Sequence, residues 1–195
     1  FLKRKKDAAG CFEEFLHDVV YRQNHSVSVL RADNGGEFVG RAFKRVLREH
    51  RVTPEFSPPH SPQSNGTVER FWGTVIPRAK AMLYDSGLSL DFWAESVRSS
   101  VYLYNRLPSS ALDGVSPIEF RTGERPDIEH LRCFGATAYV LNERASKIGP
   151  NATRQVLLGY ADDCSAYRVY NPLTRKVTNT VHVTFNEARF GWSTS

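Results

Sequence analysis

The sequence predicts two structural classes in succession, an α/β layer structure and then a small all-β unit. Short strand-like segments alternate with amphipathic helical segments up to Pro108, an order typical of a partly parallel sheet covered by helices. Beyond a connector rich in Gly and Pro, short runs of β-branched and aromatic residues follow, over a length that suits a five-stranded barrel. The predicted limits are residues 1–108 for the α/β domain, 109–128 for the connector and 129–190 for the barrel.

The first elements are predicted from hydrophobic periodicity. Apolar residues recur at intervals of three and four over 8–20, which predicts an amphipathic helix with Asp7 as its N-cap. Alternating Val and Ser predict a short strand at 27–30, which ends in a cluster of turn-forming residues at 31–36. One continuous helix is expected from about Glu37. Its outer face is strongly basic, with Arg41, Lys44, Arg45 and Arg48.

The remaining elements of the α/β domain lie on either side of a loop. A strand is expected at 52–56, and three prolines make 57–66 a loop. The helical period returns from Thr67, with a kink expected at Pro77. Asp91 is then expected to cap the last helix of the domain.

Four runs in the barrel region are expected to form strands, because they are rich in β-branched and aromatic residues. These runs are 133–141, 155–160, 166–170 and 177–185. Apolar and polar residues fall on opposite faces of the last run, so it is expected to be one strand. One face of that strand would carry Val177, Val181, Val183 and Phe185.

Composition and charge are those of a globular protein with an uneven distribution of basic residues. There are 26 Lys and Arg against 21 Asp and Glu, and the whole excess of +5 falls in the first 80 residues. Such a bias suits a domain that contacts DNA or RNA, although a basic isoelectric point is also common without such a partner. Three scattered cysteines argue against a disulfide scaffold or a zinc finger, and no apolar run reaches the ~18 residues of a membrane span.

Two acidic residues lie where a catalytic carboxylate would be useful. Asp33 follows a short strand, at the edge where open α/β sheets bind ligands, and Glu69 lies in the first turn of the helix after the Pro-rich loop. Two carboxylates brought together repel each other unless cations neutralise them, so the pair favours Mg²⁺ or Mn²⁺. The structural alternative is that Asp33 only forms a turn and Glu69 only favours its helix dipole. Glu37 is interpreted as a helix-start residue.

Two longer motifs favour the catalytic interpretation. Residues 31–38 are RADNGGEF and residues 57–70 are SPPHSPQSNGTVER, and both resemble the integrase core of retroviruses and retrotransposons. That family carries an Asp, Asp, Glu triad in a ribonuclease H-like fold, with 35 residues between the last two acids, and here residues 34–68, also 35, separate Asp33 from Glu69. Agreement in motif, order and spacing argues against a chance resemblance.

The closer resemblance is to the copia-like branch of retrotransposon polyproteins. Several short motifs resemble the stretch that runs from the end of the integrase core into a small Src-homology-3-like barrel. They are WAE at 93–95, YNRLP at 104–108, SPIE at 116–119, HLRCFG at 130–135, LGY at 158–160 and YRVYNP at 167–172. The resemblance covers about residues 1–187, and it implies a ribonuclease H-like core at 1–108 and a Src-homology-3-like barrel at 129–190.

The resemblance also implies roles for individual residues. Asp33 and Glu69 would ligate Mg²⁺ or Mn²⁺ in a polynucleotidyl transferase that trims the 3′ ends of element DNA and joins them to target DNA. The loop before Glu69 would approach the DNA end, and cations of the next helix would reach phosphates, with a solvated helix face as their alternative. The implied DNA-binding residues are Gln63, Ser64, Asn65, Gly66, Arg70, Arg78 and Lys80. The family further implies a homo-oligomer, no membrane association, and a nuclear location with a cytoplasmic particle stage.

The chain departs from the family pattern at its start. The family's first catalytic Asp belongs on a strand upstream of the segment that matches residues 1–5, and Asp7 is not a substitute for it. The His/Cys zinc module is absent too, position 1 is Phe, and the only methionine is Met82, so a piece of a longer protein is expected, inactive by itself. Two alternatives stay open: a non-catalytic DNA-binding or domesticated remnant of such an element, and a ribonuclease H-like nuclease.

Overall fold

In the computed structural model, residues 2, 4–20, 25–57, 66–142, 150–161 and 165–190 are described. The chain divides into two compact units, residues 1–71 and 72–195. The division falls within a single helix, α4 (Gly66–Asp85). The predicted limits of the α/β domain, the connector and the barrel stay predictions.

The first unit contains a parallel pair of strands and the helices that precede and connect them. Strand β1 (Val29–Ala32) pairs in parallel with strand β2 (Thr53–Phe56), and Ala32 lies opposite Phe56 at their carboxyl ends. The helices are α1 (Ala8–Phe15), which continues as a π-helical turn at Leu16–Val20, α2 (Gly36–Val39) and α3 (Arg41–Glu49). The parallel β-α-β connection confirms the predicted α/β class.

The core of the first unit is formed by one face of α3 packed on α1 and its π-helical extension. Phe43, Val46 and Leu47 of α3 are at most 2% exposed, and they belong to one apolar cluster with Leu16 and Val52. Burial of three large apolar side chains on one face leaves the opposite face of α3 to solvent. The predicted basic outer face is confirmed.

Three local predictions for the first unit differ from the structure. Asp7 does occupy the N-cap position of α1, but its backbone is helical and its side chain makes no capping hydrogen bond. Its carboxylate instead accepts a hydrogen bond from Arg4 Nε at 3.4 Å. The helix expected from Glu37 is two helices, since Gly40 adopts an extended ψ of 157° between α2 and α3. The first strand lies two residues later than predicted, because pairing with β2 includes Arg31, whose guanidinium meets Glu55 at 2.6 Å.

The helices of the second unit pack through small polar residues. Beside the later part of α4, this unit contains α5 (Trp93–Arg106) and the short α6 (Pro117–Thr122). Ser96 Oγ donates to the carbonyl of Ala79 at 2.6 Å, and Ser100 Oγ donates to that of Val75 at 2.9 Å. Both serines are at most 1% exposed, and each donates its hydroxyl to a carbonyl of α4. The two helices therefore pack closely while both buried hydroxyls keep a hydrogen-bond partner.

The cap of α5 differs from the prediction. A 3₁₀ turn at Leu90–Phe92 precedes the helix, and Ser89, with an extended backbone, accepts the hydrogen bond from the Asp91 amide at 3.1 Å. Asp91 therefore lies inside the turn and does not begin it. Helix α4 continues through Pro77, and the bend expected there stays a prediction. No helix in the described part of the chain combines the length and apolarity of a membrane span.

Five antiparallel strands complete the second unit, in the order β6-β5-β4-β3-β7. They are β3 (Ala136–Leu141), β4 (Ala152–Tyr160), β5 (Tyr167–Asn171), β6 (Lys176–Thr180) and β7 (Val183–Phe190). In the described residues, the predicted all-β unit is confirmed as a five-stranded antiparallel sheet, but the single strand predicted at 177–185 is wrong. The chain turns at Val181 and His182, so that β6 pairs with β5 while β7 pairs with β3 on the other side.

A cluster of rings beside this sheet leads to a prediction about pH. His130 Nε2 lies 2.7 Å from the Tyr102 hydroxyl, and Tyr102 stacks on Tyr160 at a centroid distance of 4.2 Å. Burial, followed by the nearby Arg106 guanidinium, lowers the pKa of His130 below its usual range. The unfolded chain therefore binds this proton more readily, and stability is lost as the pH falls through about 6.5 toward the folded pKa.

We expect the urea midpoint to fall between about pH 7.5 and about pH 5.5, and His130→Gln to remove part of that fall. The matched control is His182→Gln, because His182 is exposed. An equal pH dependence in the wild type and in His130→Gln would contradict the prediction.

Candidate functional site

Asp33 lies directly after β1, at the carboxyl end of the parallel strand pair. Its side chain is exposed, and one carboxylate oxygen, Oδ1, accepts a hydrogen bond from the Gly35 amide at 3.0 Å. This contact makes Asp33 a turn-forming residue, which is the purely structural role considered for it from the sequence. It also leaves oxygen lone pairs facing solvent, so turn formation and ligand binding are compatible at this residue.

The loop after β1 is anchored to the loop after β2. The Ser57 amide donates to the carbonyl of Ala32 at 3.0 Å, and Asn34 Nδ2 donates to the carbonyl of Ser57 at 2.9 Å. The first bond prolongs the backbone ladder beyond the strands, and the second adds a side-chain contact between the two loops. Asp33 lies between Ala32 and Asn34, the two residues that make these bonds. The bonds therefore hold Asp33 at the edge of the sheet where ligands bind in open α/β folds.

A second carboxylate lies next to Asp33. Asp33 Oδ1 and Glu37 Oε2 are each 2.9 Å from the point that a Cβ on Gly35 would occupy, so the two acids share the space over this glycine. Glu37 Oε1 also lies 3.3 Å from Lys5 Nζ. A backbone hydrogen bond, with the Lys5 ammonium as a further cause, lowers the pKa of Glu37 and keeps it ionised beside Asp33.

Glu69 lies in the first turn of α4 and is exposed. Next to it, Arg70 folds back over the start of the helix, with Nη2 3.5 Å from Thr67 Oγ1 and Nη1 3.3 Å from the point that a Cβ on Gly66 would occupy. Gly66 is therefore the residue over which the Arg70 guanidinium lies. Three predicted DNA-binding residues, Gln63, Ser64 and Asn65, lie outside the described residues.

The structure offers oxygen donors for a metal but no complete ligand set. In the described ranges, no three His, Cys, Asp or Glu side chains converge closely enough to hold a metal ion. Asp33 and Glu69 are both exposed carboxylates of the first unit, the hard donors that Mg²⁺ and Mn²⁺ prefer. The donor chemistry fits, whereas the convergence of Asp33 on Glu69 stays a prediction.

The last two predicted DNA-binding residues belong to the second unit. Lys80 is exposed on α4, as a phosphate contact requires. Arg78 is half-buried, and its Nη1 is fully buried with no hydrogen-bond partner in the described part of the chain. Burial of one guanidinium nitrogen limits how Arg78 can reach a phosphate, so its role as a DNA contact stays a prediction.

Residue-by-residue analysis of the sequence missed the participation of Glu37, Gly35 and Lys5. Glu37 was interpreted only as a helix-start residue, and it does lie in the first turn of α2. Its closeness to Asp33 depends on a four-residue spacing around a turn and on a glycine between the two acids. Lys5 is remote in sequence from both, so only the folded chain shows that it pairs with Glu37.

These contacts lead to a prediction for Gly35→Ala. The backbone of Gly35 (φ −54°, ψ 138°) suits any L-residue, so we expect the free energy of unfolding to change by less than about 1 kcal/mol. The new methyl group would displace the two carboxylates, and we expect weaker Mn²⁺ binding. Urea unfolding and Mn²⁺ titration by electron paramagnetic resonance measure the two effects. The control is Gly36→Ala, where a Cβ meets nothing within 4 Å; equal Mn²⁺ affinity in both variants would contradict the prediction.

Comparisons with known proteins agree on one family. A family model, the retroviral polymerase SH3-like domain, matches residues 136–195. The retrovirus-related Pol polyprotein from transposon TNT 1-94 of Nicotiana tabacum is 33% identical over 190 residues, which cover 96% of this chain. The corresponding polyprotein from transposon RE2 of Arabidopsis thaliana is 30% identical over 196 residues and matches 100% of the chain.

A solved structure adds the fold. A chain of the simian T-cell lymphotropic virus intasome, in complex with PP2A regulatory subunit B56 gamma, aligns with 100% of this chain and 66% of its own length, at a TM-score of 0.50 and 13% identity. That likeness shows the fold alone. The chain spans only 14% and 13% of the two plant polyproteins. With matches along its whole length, the chain belongs to the copia-like, retrovirus-related Pol polyprotein family, and its residues 136–195 match the SH3-like domain.

Proposed function

We propose that this chain is part of a metal-dependent polynucleotidyl transferase that processes the 3′ ends of element DNA and joins them to target DNA. The observation that carries the proposal is the position of Asp33. It is an exposed carboxylate at the carboxyl end of β1, held there by the Gly35 amide, and 35 residues lie between it and the exposed Glu69. Spacing, order and sheet position agree with the integrase family.

In this proposal, Asp33 and Glu69 would hold the metal together with a carboxylate from a segment upstream of Phe1. Mg²⁺ or Mn²⁺, when bound, would activate the attacking oxygen and stabilise the leaving oxygen of a phosphodiester. Lys5 would keep Glu37 ionised but paired, since its ammonium lies 3.3 Å from that carboxylate. Glu37 would then add less repulsion to the site than an unpaired acid.

The proposed partners follow from the same assignment. Element-end DNA and target DNA would bind near the Asp33 edge, with Arg70 and Lys80 as phosphate contacts. A homo-oligomer is proposed, because the structural neighbour is part of an intasome. The proposed location is the nucleus, where target DNA is found, with a cytoplasmic particle stage.

DNA joining by the longer integrase, extended upstream of Phe1 from the same locus, tests the proposal. Labelled duplexes that carry element-end sequences are incubated with plasmid DNA in Mg²⁺ or in EDTA. We expect joined products in Mg²⁺ and none in EDTA. A protein that binds the same duplexes in both conditions but never joins them would be the non-catalytic remnant, and that outcome would overturn the proposal.

A further inference from the structure

The outer face of α3 carries a row of cations that the proposed site does not use. All four side chains are exposed, and their spacing of three and four residues places them on one face of the helix. This α3 cation row consists of Arg41, Lys44, Arg45 and Arg48. The helix has one acid, Glu49, which lies 3.7 Å from Arg45, so the row keeps an excess of positive charge.

Chain topology places the row beside the sheet edge that carries Asp33. Helix α3 connects the carboxyl end of β1 to the amino end of β2, and the two strands are parallel. The helix therefore runs back along the strands, with Arg41 toward the Asp33 edge and Arg48 toward the opposite edge. Arg48 lies seven positions after Arg41, about 10 Å along the helix axis.

The row has the chemistry of a polyanion-binding surface and lacks that of a protein interface. Protein interfaces are centred on buried aromatic or aliphatic anchors. On α3 itself, no large apolar side chain is exposed. Three of the four cations are arginines, whose planar guanidinium binds phosphate oxygens in bidentate fashion. Neighbouring cations at about 5–6 Å can each meet a separate phosphate group.

We infer that the α3 cation row binds the phosphate backbone of double-stranded DNA, independently of base sequence. The choice of DNA as the polyanion rests on the proposed function. The surface consists of different residues from the DNA contacts of the proposed function. It would hold a duplex that runs from the Asp33 edge along the side of the first unit, and it would read no bases because backbone contacts carry no sequence information.

Salt-dependent DNA binding by the 195-residue chain tests the inference. The test variant is Lys44→Gln/Arg45→Gln/Arg48→Gln. The matched control, Arg125→Gln/Arg175→Gln/Lys176→Gln, removes the same charge from exposed residues of the second unit. Affinity for a labelled duplex of about 30 base pairs is measured by anisotropy in EDTA, from about 50 to about 200 mM KCl. The slope of log affinity against log salt should lose about 2.7 in the test variant and little in the control.

Equal slopes in the two triple variants would overturn the inference. Displacement of the duplex by polyglutamate as effectively as by unlabelled duplex, at equal charge, would overturn it in favour of an acidic protein partner. Tighter binding of double-stranded RNA through the same residues would overturn the choice of DNA. Should the triple variant fail to fold, Lys44→Gln alone should lower the slope by about 0.9. Since EDTA removes metal chemistry, Glu69→Gln should keep the full slope, so this test and the joining assay fail independently.

Discussion

Replacing Glu69 with Gln is expected to lower Mg²⁺-dependent DNA joining by the longer integrase about a thousand-fold or more, while DNA binding persists. The exchange keeps the shape of the side chain and removes its charge. A metal held between carboxylates loses several kcal/mol of transition-state stabilisation when one of them becomes an amide. Glu69 is exposed in the first turn of α4, so the variant should fold normally. DNA affinity should hold or rise, because a negative charge is removed near phosphates.

The matched control for this experiment is Glu55→Gln. Glu55 is also an exposed carboxylate of the first unit, and it pairs with Arg31 across β1 and β2 at 2.6 Å. An exposed ion pair contributes little to stability, so this variant should keep both folding and joining. Asp33→Asn should resemble Glu69→Gln. Joining that survives in both Glu69→Gln and Asp33→Asn would refute their assignment as metal ligands, whatever the result for DNA binding.

The sequence allowed the α/β class, the basic face of α3 and the all-β character of the later part to be predicted, because each leaves a pattern of residue types. The break at Gly40 could not be predicted, since a single glycine is also tolerated inside a helix. The cap expected at Asp91 is instead provided by Ser89, for the 3₁₀ turn that precedes α5, because both residue types favour N-caps and lie two positions apart. The turn at Val181 and His182 was missed, because the alternation of polar and apolar residues continues through it without Gly or Pro.

The site was predictable only in part, for a different physical reason. Asp33 and Glu69 could be identified from motif and spacing, which are properties of the sequence. The approach of Glu37 to Asp33 depends on the absence of a side chain at Gly35. The pairing of Glu37 with Lys5 depends on the tertiary fold, which brings together residues that are distant in sequence. The same is true of the α3 cation row, where the residues were evident but their orientation along β1 and β2 required the strand pairing.

The second large effect is expected at Gly159, where β4 meets α5 within the second unit. Gly159 has a φ of +136°, and a Cβ there would overlap Ser99 Oγ. Ser99 is 3% exposed and donates its hydroxyl to the carbonyl of Leu158 at 2.8 Å. Gly159→Ala would therefore strain the backbone and break a buried hydrogen bond. Together these effects should cost about 2–5 kcal/mol of the free energy of unfolding.

Urea unfolding followed by tryptophan fluorescence measures this cost in the second unit, because all three tryptophans belong to residues 72–195. Gly87→Ala is the matched control, since Gly87 also has a positive φ (+66°) but a Cβ there meets nothing within 4 Å. It should show only the backbone strain, about 1–2 kcal/mol.

Ser99→Ala should partly rescue Gly159→Ala, because removal of Oγ leaves the Ser99 Cβ, 3.6 Å away, as the atom that the new methyl group meets. A double-mutant cycle then gives a coupling energy for the contact. Additive costs, or a Gly159→Ala variant as stable as Gly87→Ala, would show that the close approach of α5 to β4 does not govern stability. Coupling would instead mean that the SH3-like sheet depends on α5 for its packing. The predicted barrel at 129–190 would then be less stable when expressed without that helix.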